Sequence, residues 1–132
     1  MAGKLTVMNT FECTAWDENV YAGAENGARI GDARMTFRYS GVLDGESKSA
    51  GLLAYTAGTT GTSTGAELFT GSIGGKPGTV ILRTTNTFDE EKVTGKFEVV
   101  PGTGTGELVD AKGHGSYVLR MGAMSTEYTF TS

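Results

Sequence analysis

The chain has 132 residues, a formal net charge of −4, 21 glycines, two prolines and a single cysteine. That is one domain, residues 1–132, long enough to bury about two-thirds of its unfolded surface around one core. One cysteine excludes an internal disulfide, and scattered lysines and arginines exclude the basic footprint of a nucleic-acid partner.

No pattern of a secretion signal opens the chain and no apolar run is long enough to cross a bilayer, so the expectation is a cytoplasmic protein without a membrane partner. No window sustains apolar spacing at three and four, which leaves strands and turns to dominate. The first strand reads as Thr6 to Thr14, with Val7, Asn9, Phe11 and Cys13 inward. From Trp16 to Asp32 the alternation lapses. Gly23, Asn26-Gly27 and Gly31 punctuate a polar stretch that reads either as a lid or binding loop or as a mobile surface segment. Asp44-Gly45 then signals a two-residue hairpin. It sets Met35, Phe37 and Tyr39 beside Ala54, Leu52 and Ala50, with Arg34 and Arg38 facing away.

Two further hairpins follow. A five-residue loop, Gly74 to Gly78, places Phe69 opposite Arg83 and Gly71 opposite Ile81. The turn Asp89 to Lys92 places Arg83 opposite Glu98 and Thr85 opposite Lys96. Because side chains alternate across a sheet, one face then carries Glu67, Phe69, Ile81, Arg83, Thr85, Lys96 and Glu98. The other, more apolar, carries Leu68, Val80, Leu82, Thr84, Asn86, Phe97 and Val99 and is the expected core. Pro101-Gly102-Thr103-Gly104-Thr105-Gly106-Glu107 lacks the lysine and hydroxyl pair of a phosphate loop and reads as a bulged turn between strands. A turn at Gly122-Ala123 pairs Tyr117 with Tyr128. About eight short antiparallel strands joined by tight turns predict an all-β, closed or nearly closed barrel, which removes exposed edges.

On this map the inward polar residues are Asn9, Cys13, Tyr39, Ser72, Thr84, Asn86, Tyr117 and Tyr128, set among Met35, Phe37, Phe97 and Leu119. Apolar walls with a few placed hydrogen bonders make a small-molecule pocket, and the alternative is a filled core in which these groups satisfy one another. All are neutral near pH 7. The expected ligand is therefore a small, uncharged or weakly polar molecule, with no metal, nucleotide or other cofactor. An alternative site gathers Glu67, Arg83, Glu98 and Tyr55 on the opposite face, where an ordinary surface ion pair is the favoured reading. His114, the single histidine, falls outward and has no aspartate partner, which argues against a nucleophile–histidine–acid triad. Leu53, Tyr55, Phe69 and Ile81 fall together on the outer face. Such a patch calls for a cover, either the segment Trp16 to Asp32 or a second copy of the chain in a two-fold homodimer.

Several short motifs in order resemble one bacterial family: Ala15-Trp16-Asp17-Glu18, Arg38-Tyr39-Ser40-Gly41 with Asp44-Gly45-Glu46, Leu53-Ala54-Tyr55, Glu67-Leu68-Phe69-Thr70-Gly71 with Gly74-Gly75, and Val100 to Leu108. The family is domain of unknown function 3224, and the likeness spans nearly the whole chain. It departs at Leu68, where the family commonly has arginine, and in the polar stretch after Trp16. The resemblance implies an eight-stranded barrel like that of allene oxide cyclase, and with it a cofactor-free cyclase or isomerase acting by positioning and electrostatics. By that analogy Tyr39, Tyr117 or Tyr128 would polarise a substrate oxygen and Asn9 or Asn86 would orient it. A non-catalytic binder of a small hydrophobic metabolite and a filled-barrel interaction module are the competing readings.

Overall fold

A computed structural model of the chain describes residues 8–132. Eight antiparallel strands follow one another around a closed barrel: β1 (Thr10–Gly23), β2 (Arg29–Ser40), β3 (Leu43–Ala57), β4 (Thr60–Ile73), β5 (Lys76–Phe88), β6 (Lys92–Val99), β7 (His114–Arg120) and β8 (Thr126–Thr131). Among the described residues the one helical element is a 3₁₀ turn at Gly106–Leu108. Among the described residues no helix is long and apolar enough to cross a membrane. Of the first strand's expected inward residues, Val7 lies outside the described residues.

Turn chemistry fixes the registers, and at two turns it does so differently from the sequence reading. Ile73 pairs with Lys76 around Gly74-Gly75, whose φ angles of 58° and 85° are those of a mirror-image two-residue turn. Phe69 therefore faces Val80, not Arg83, and Gly71 faces Gly78. The turn between β2 and β3 is Gly41-Val42, while Asp44-Gly45 lies inside β3. Phe37 consequently pairs with Ser47 and Met35 with Ser49. Both slips are by an odd number of residues, and an odd slip moves a whole strand's side chains to the opposite face. Ser47, Ser49, Leu53 and Tyr55 of β3 thus join Glu67 and Phe69 of β4 inside. Leu52 and Leu68 turn out to solvent, and Ser72 shares that outer side.

The expected outer patch is thereby dissolved. Phe69 is fully buried, Leu53 and Tyr55 line the interior, and only Ile81 stays outside. With it goes the reason to expect a two-fold dimer through that face. The later registers agree with expectation: Arg83 pairs with Glu98, Thr85 with Lys96 and Tyr117 with Tyr128.

Trp16 to Asp32 is not irregular. It is the far half of β1, a tip turn at residues 24–28, and the start of β2. Register shifts between Cys13 and Ala15 and between Val20 and Ala22 break the alternation in sequence while the ladder continues, which is the signature of β-bulges.

The lower half of the barrel is solid. Phe11, Phe37, Tyr39, Leu43, Phe69, Val80, Leu82, Phe97, Val99, Leu108 and Tyr128 form one buried cluster. Its rings meet edge to face, as Tyr39 does with Phe69 at 5.9 Å and with Tyr128 at 5.6 Å between centroids. A buried side chain such as Phe69 contributes about 1.5–3 kcal/mol by its burial. The glycine-rich stretch after Pro101 closes this end. β6 pairs with β5 only from Leu82 onward, so the backbone below Leu82 needs another partner. Thr105 Oγ1 accepts from the Thr79 N–H at 3.1 Å and Thr103 Oγ1 from the Ile81 N–H at 3.1 Å, while Leu108 drops into the core. The stretch covers a strand edge instead of forming a simple bulged turn.

Candidate functional site

Above the solid half the barrel is hollow. Strands β1 to β5 run 12 to 15 residues, against 6 to 8 for β6 to β8, so the long strands stand above the packed core. Many inward positions in this upper part are small: Ala33, Ser49, Gly51, Ser63 and Gly65. Residues that leave the centre unfilled make a cavity of about 350 Å³. At the ~30 Å³ a water occupies in the liquid, that is room for roughly a dozen heavy atoms. Aromatic rings from Phe11, Phe37, Tyr117, Phe88, Tyr55 and Trp16 supply much of its wall, with Met35, Leu53 and Leu119 between them. Gly95 lets Tyr117 lie across its strand, since a Cβ there would sit 2.3 Å from the tyrosine Cζ.

Glu67 lines this cavity and is only 4% exposed. Its Oε1 accepts from the Tyr39 hydroxyl at 2.8 Å and from the Ser47 hydroxyl at 2.5 Å. Oε2 has no hydrogen-bond partner among the described residues. Since no side-chain N or O there is both fully buried and unpartnered, Oε2 opens onto the cavity. Burial pushes the Glu67 carboxyl above the ordinary range, and the two hydroxyl donors pull partly against that rise. Burial, followed by the charge and hydrogen bond of Glu67, raises Tyr39 well above its usual value, so its hydroxyl stays a donor.

Two further polar features flank the wall. The Tyr117 hydroxyl donates to Asn86 Oδ1, and Asn86 Nδ2 donates to Ser63 Oγ at 3.1 Å, so these groups satisfy one another. At the mouth the Tyr55 hydroxyl donates to Glu18, and burial with that bond lifts Tyr55 to about 12. The Arg29 guanidinium lies 3.8 Å over the Tyr55 ring and donates to the carbonyls of Gly27 and Gly58, tying two hairpin tips together.

Of the pocket expected from sequence, Thr84, Asn86 and Tyr117 line the cavity. Tyr39, Phe97 and Tyr128 lie in the packed core instead. The Tyr128 hydroxyl accepts from the Leu43 N–H at 2.9 Å and donates to the Ser40 carbonyl at 2.9 Å, and Asn9 Oδ1 accepts from the Val42 N–H at 2.8 Å, so both serve the β2–β3 turn. Cys13, beside the bulge, is exposed. The alternative site divides. Glu67 and Tyr55 belong to the cavity, while Arg83 and Glu98 form an exposed outer ion pair at 3.5 Å. His114 is exposed, as expected. Sequence reasoning missed Trp16, Ser49, Leu53 and Phe88 on the wall and put Glu67 on the wrong face. Gly74-Gly75 read as a two-residue turn would have brought Glu67 inside.

No curated protein matches the chain. Its fold is similar to that of a solved protein of unknown function from the DUF3224 family of Shewanella oneidensis MR-1. The TM-score is 0.68 over 95% of this chain and 96% of that one, at 22% sequence identity, a likeness of fold. A family model described as "Protein of unknown function (DUF3224)" matches residues 7–131, all eight strands of the barrel, and to that family the chain belongs.

Proposed function

We propose that the barrel holds one small molecule with a mostly apolar body in its upper cavity. The observation that carries this is the cavity itself: about 350 Å³, walled by aromatic and aliphatic side chains, open above and stopped below by the packed core. Sites of this size, apolar with a few polar groups placed among the carbon, are the usual form of small-molecule pockets. Calorimetric titration with small aromatic and medium-chain compounds tests it. One molecule per barrel is expected, with binding lost in Ala33→Phe, whose ring would occupy the hollow. Saturable binding unchanged in that variant would place the ligand elsewhere.

A second reading is a cofactor-free isomerase or cyclase working in the same cavity. It is favoured by one group, the Glu67 carboxyl, which is buried, displaced upward in pKa and open to the cavity through Oε2, as a proton-transferring acid or base requires. The analogy with cyclase barrels comes from the family resemblance alone and lends no residue. Recovery of a rearranged isomer after incubation supports the enzyme, and recovery of unchanged ligand supports the binder.

A further inference from the structure

Resting on the barrel as a small-molecule receptacle, we propose that its ligand is a cationic amine, with its ammonium group seated on Glu67 Oε2 and its apolar body among the aromatic rings above. The first support is the Glu67 side chain. Oε2, with no partner among the described residues, opens into the cavity while Tyr39 and Ser47 hold the other oxygen. Both hydroxyls donate to the carboxyl, an arrangement that sustains the ionised form once a counter-ion is present.

The second support is the company Glu67 keeps. Ser49 lies directly across the β3–β4 ladder from Glu67, and Thr84 follows two residues after Leu82, the partner of Glu67 on β5. Both line the cavity, and neither hydroxyl has a hydrogen-bond partner among the described residues. The Glu67 carboxyl and these two hydroxyls are thus neighbours on one stretch of the wall, acceptors for the three N–H donors that an ammonium brings. Burial has already removed most of the water around the carboxyl, so the arriving cation replaces mainly its own hydration and the Glu67 proton.

The third support is charge. The cavity's carboxylic acids are Glu67 below and Glu18, Asp89 and Glu90 at the mouth, and among the described residues no lysine, arginine or histidine lines it. Of the cations near the rim, Arg29 is committed to the Tyr55 ring and two backbone carbonyls, and Lys92 acts on the Asp89 carboxyl. An anionic ligand would meet four carboxyl groups and no cationic side chain on the described wall. A cation is drawn in by the acidic mouth and meets aromatic side chains on the way down.

The test compares three probes of one shape, 2-phenylethylamine, 2-phenylethanol and phenylacetate, with wild type and Glu67→Gln. Binding is read by calorimetry and by fluorescence of Trp16, the chain's single tryptophan and a cavity residue. Wild type should bind the amine about tenfold or more tighter than the alcohol, with phenylacetate weakest. Glu67→Gln keeps an oxygen for Tyr39 and Ser47 and should lose that preference while holding the alcohol as before. Amine binding should also release protons, detected as heats that vary with the buffer's ionisation enthalpy, and should strengthen as pH rises from acid toward neutrality. Equal or better binding of the alcohol, or an amine affinity untouched by Glu67→Gln, overturns the amine proposal and leaves the receptacle standing. Failure of all three probes to bind wild type overturns the amine proposal, and the receptacle is then judged separately by the wider compound titration and Ala33→Phe.

Discussion

Replacing Glu67 by glutamine should stabilise the protein at neutral pH, although it removes no clash and adds no contact. Glutamine preserves an Oε1 acceptor for the Tyr39 and Ser47 hydroxyls and abolishes titration. Burial raises the folded-state pKa of Glu67 above its unfolded value, so between the two the folded state holds more protons than the unfolded state. Stability then falls as pH rises through that window, beginning near the unfolded value of about 4.3. Each pH unit by which the folded midpoint exceeds the unfolded one costs the wild type about 1.4 kcal/mol. Urea unfolding of both proteins from about pH 3.5 to about pH 7.5 should show near-equal stability in acid and a growing advantage for Glu67→Gln above it. Glu67→Ala supplies the contrast. It strands two buried hydroxyls at about 1–3 kcal/mol each and should be the least stable of the three at every pH. A Glu67→Gln protein less stable than wild type near neutrality would refute the reasoning, because the carboxylate would then be favoured, not penalised, by its surroundings.

Tyr128→Phe should cost about 1–3 kcal/mol, seen as a lowered melting temperature, because the Leu43 N–H loses the hydroxyl that accepts it. Arg83→Ala should change stability by less than about 1 kcal/mol, since the pair with Glu98 is more than half exposed on both sides. Gly95→Ala should destabilise by about 1–3 kcal/mol and weaken ligand binding together, because the added methyl drives Tyr117 toward the cavity. Thermal melts and probe titrations on the same preparation check both effects.

The architecture was legible from sequence because it rests on turns and alternation, which are local. Asp89 marks the β5–β6 turn by accepting from the Glu91 and Lys92 N–H groups, and with that turn identified the pairing of Arg83 with Glu98 followed. The site was less legible because it depends on which face of each strand is inside. Asp44-Gly45 is a strong turn signal, yet Gly41-Val42 makes the turn, held by Asn9 and Tyr128 from distant strands that no local rule can see. Serines 47 and 49 look like surface residues. In a closed barrel such small inward groups leave space for rings opposite, so polarity alone misplaces them. The bulges of β1 hid a long strand in the same way, by breaking the alternation that announces one.

Among the described residues β8 meets β1 through two residue pairs, Thr10 with Glu127 and Phe11 with Thr126, plus one N–H from Tyr128 to the Asn9 carbonyl. Every other seam joins neighbours in sequence. Folding of such a chain should form an open sheet of local hairpins first and close last, when its two distant ends meet at the largest loop-closure cost. The same seam should be the first to part in the native state, with amide exchange fastest there among the interstrand bonds. Phe11 belongs to that seam through its backbone and to the cavity wall through its ring. A molecule packed against the ring therefore acts as a clasp on the zipper, and slower exchange at Phe11, Thr126 and Tyr128 would report an occupied barrel whatever the chemistry of its occupant.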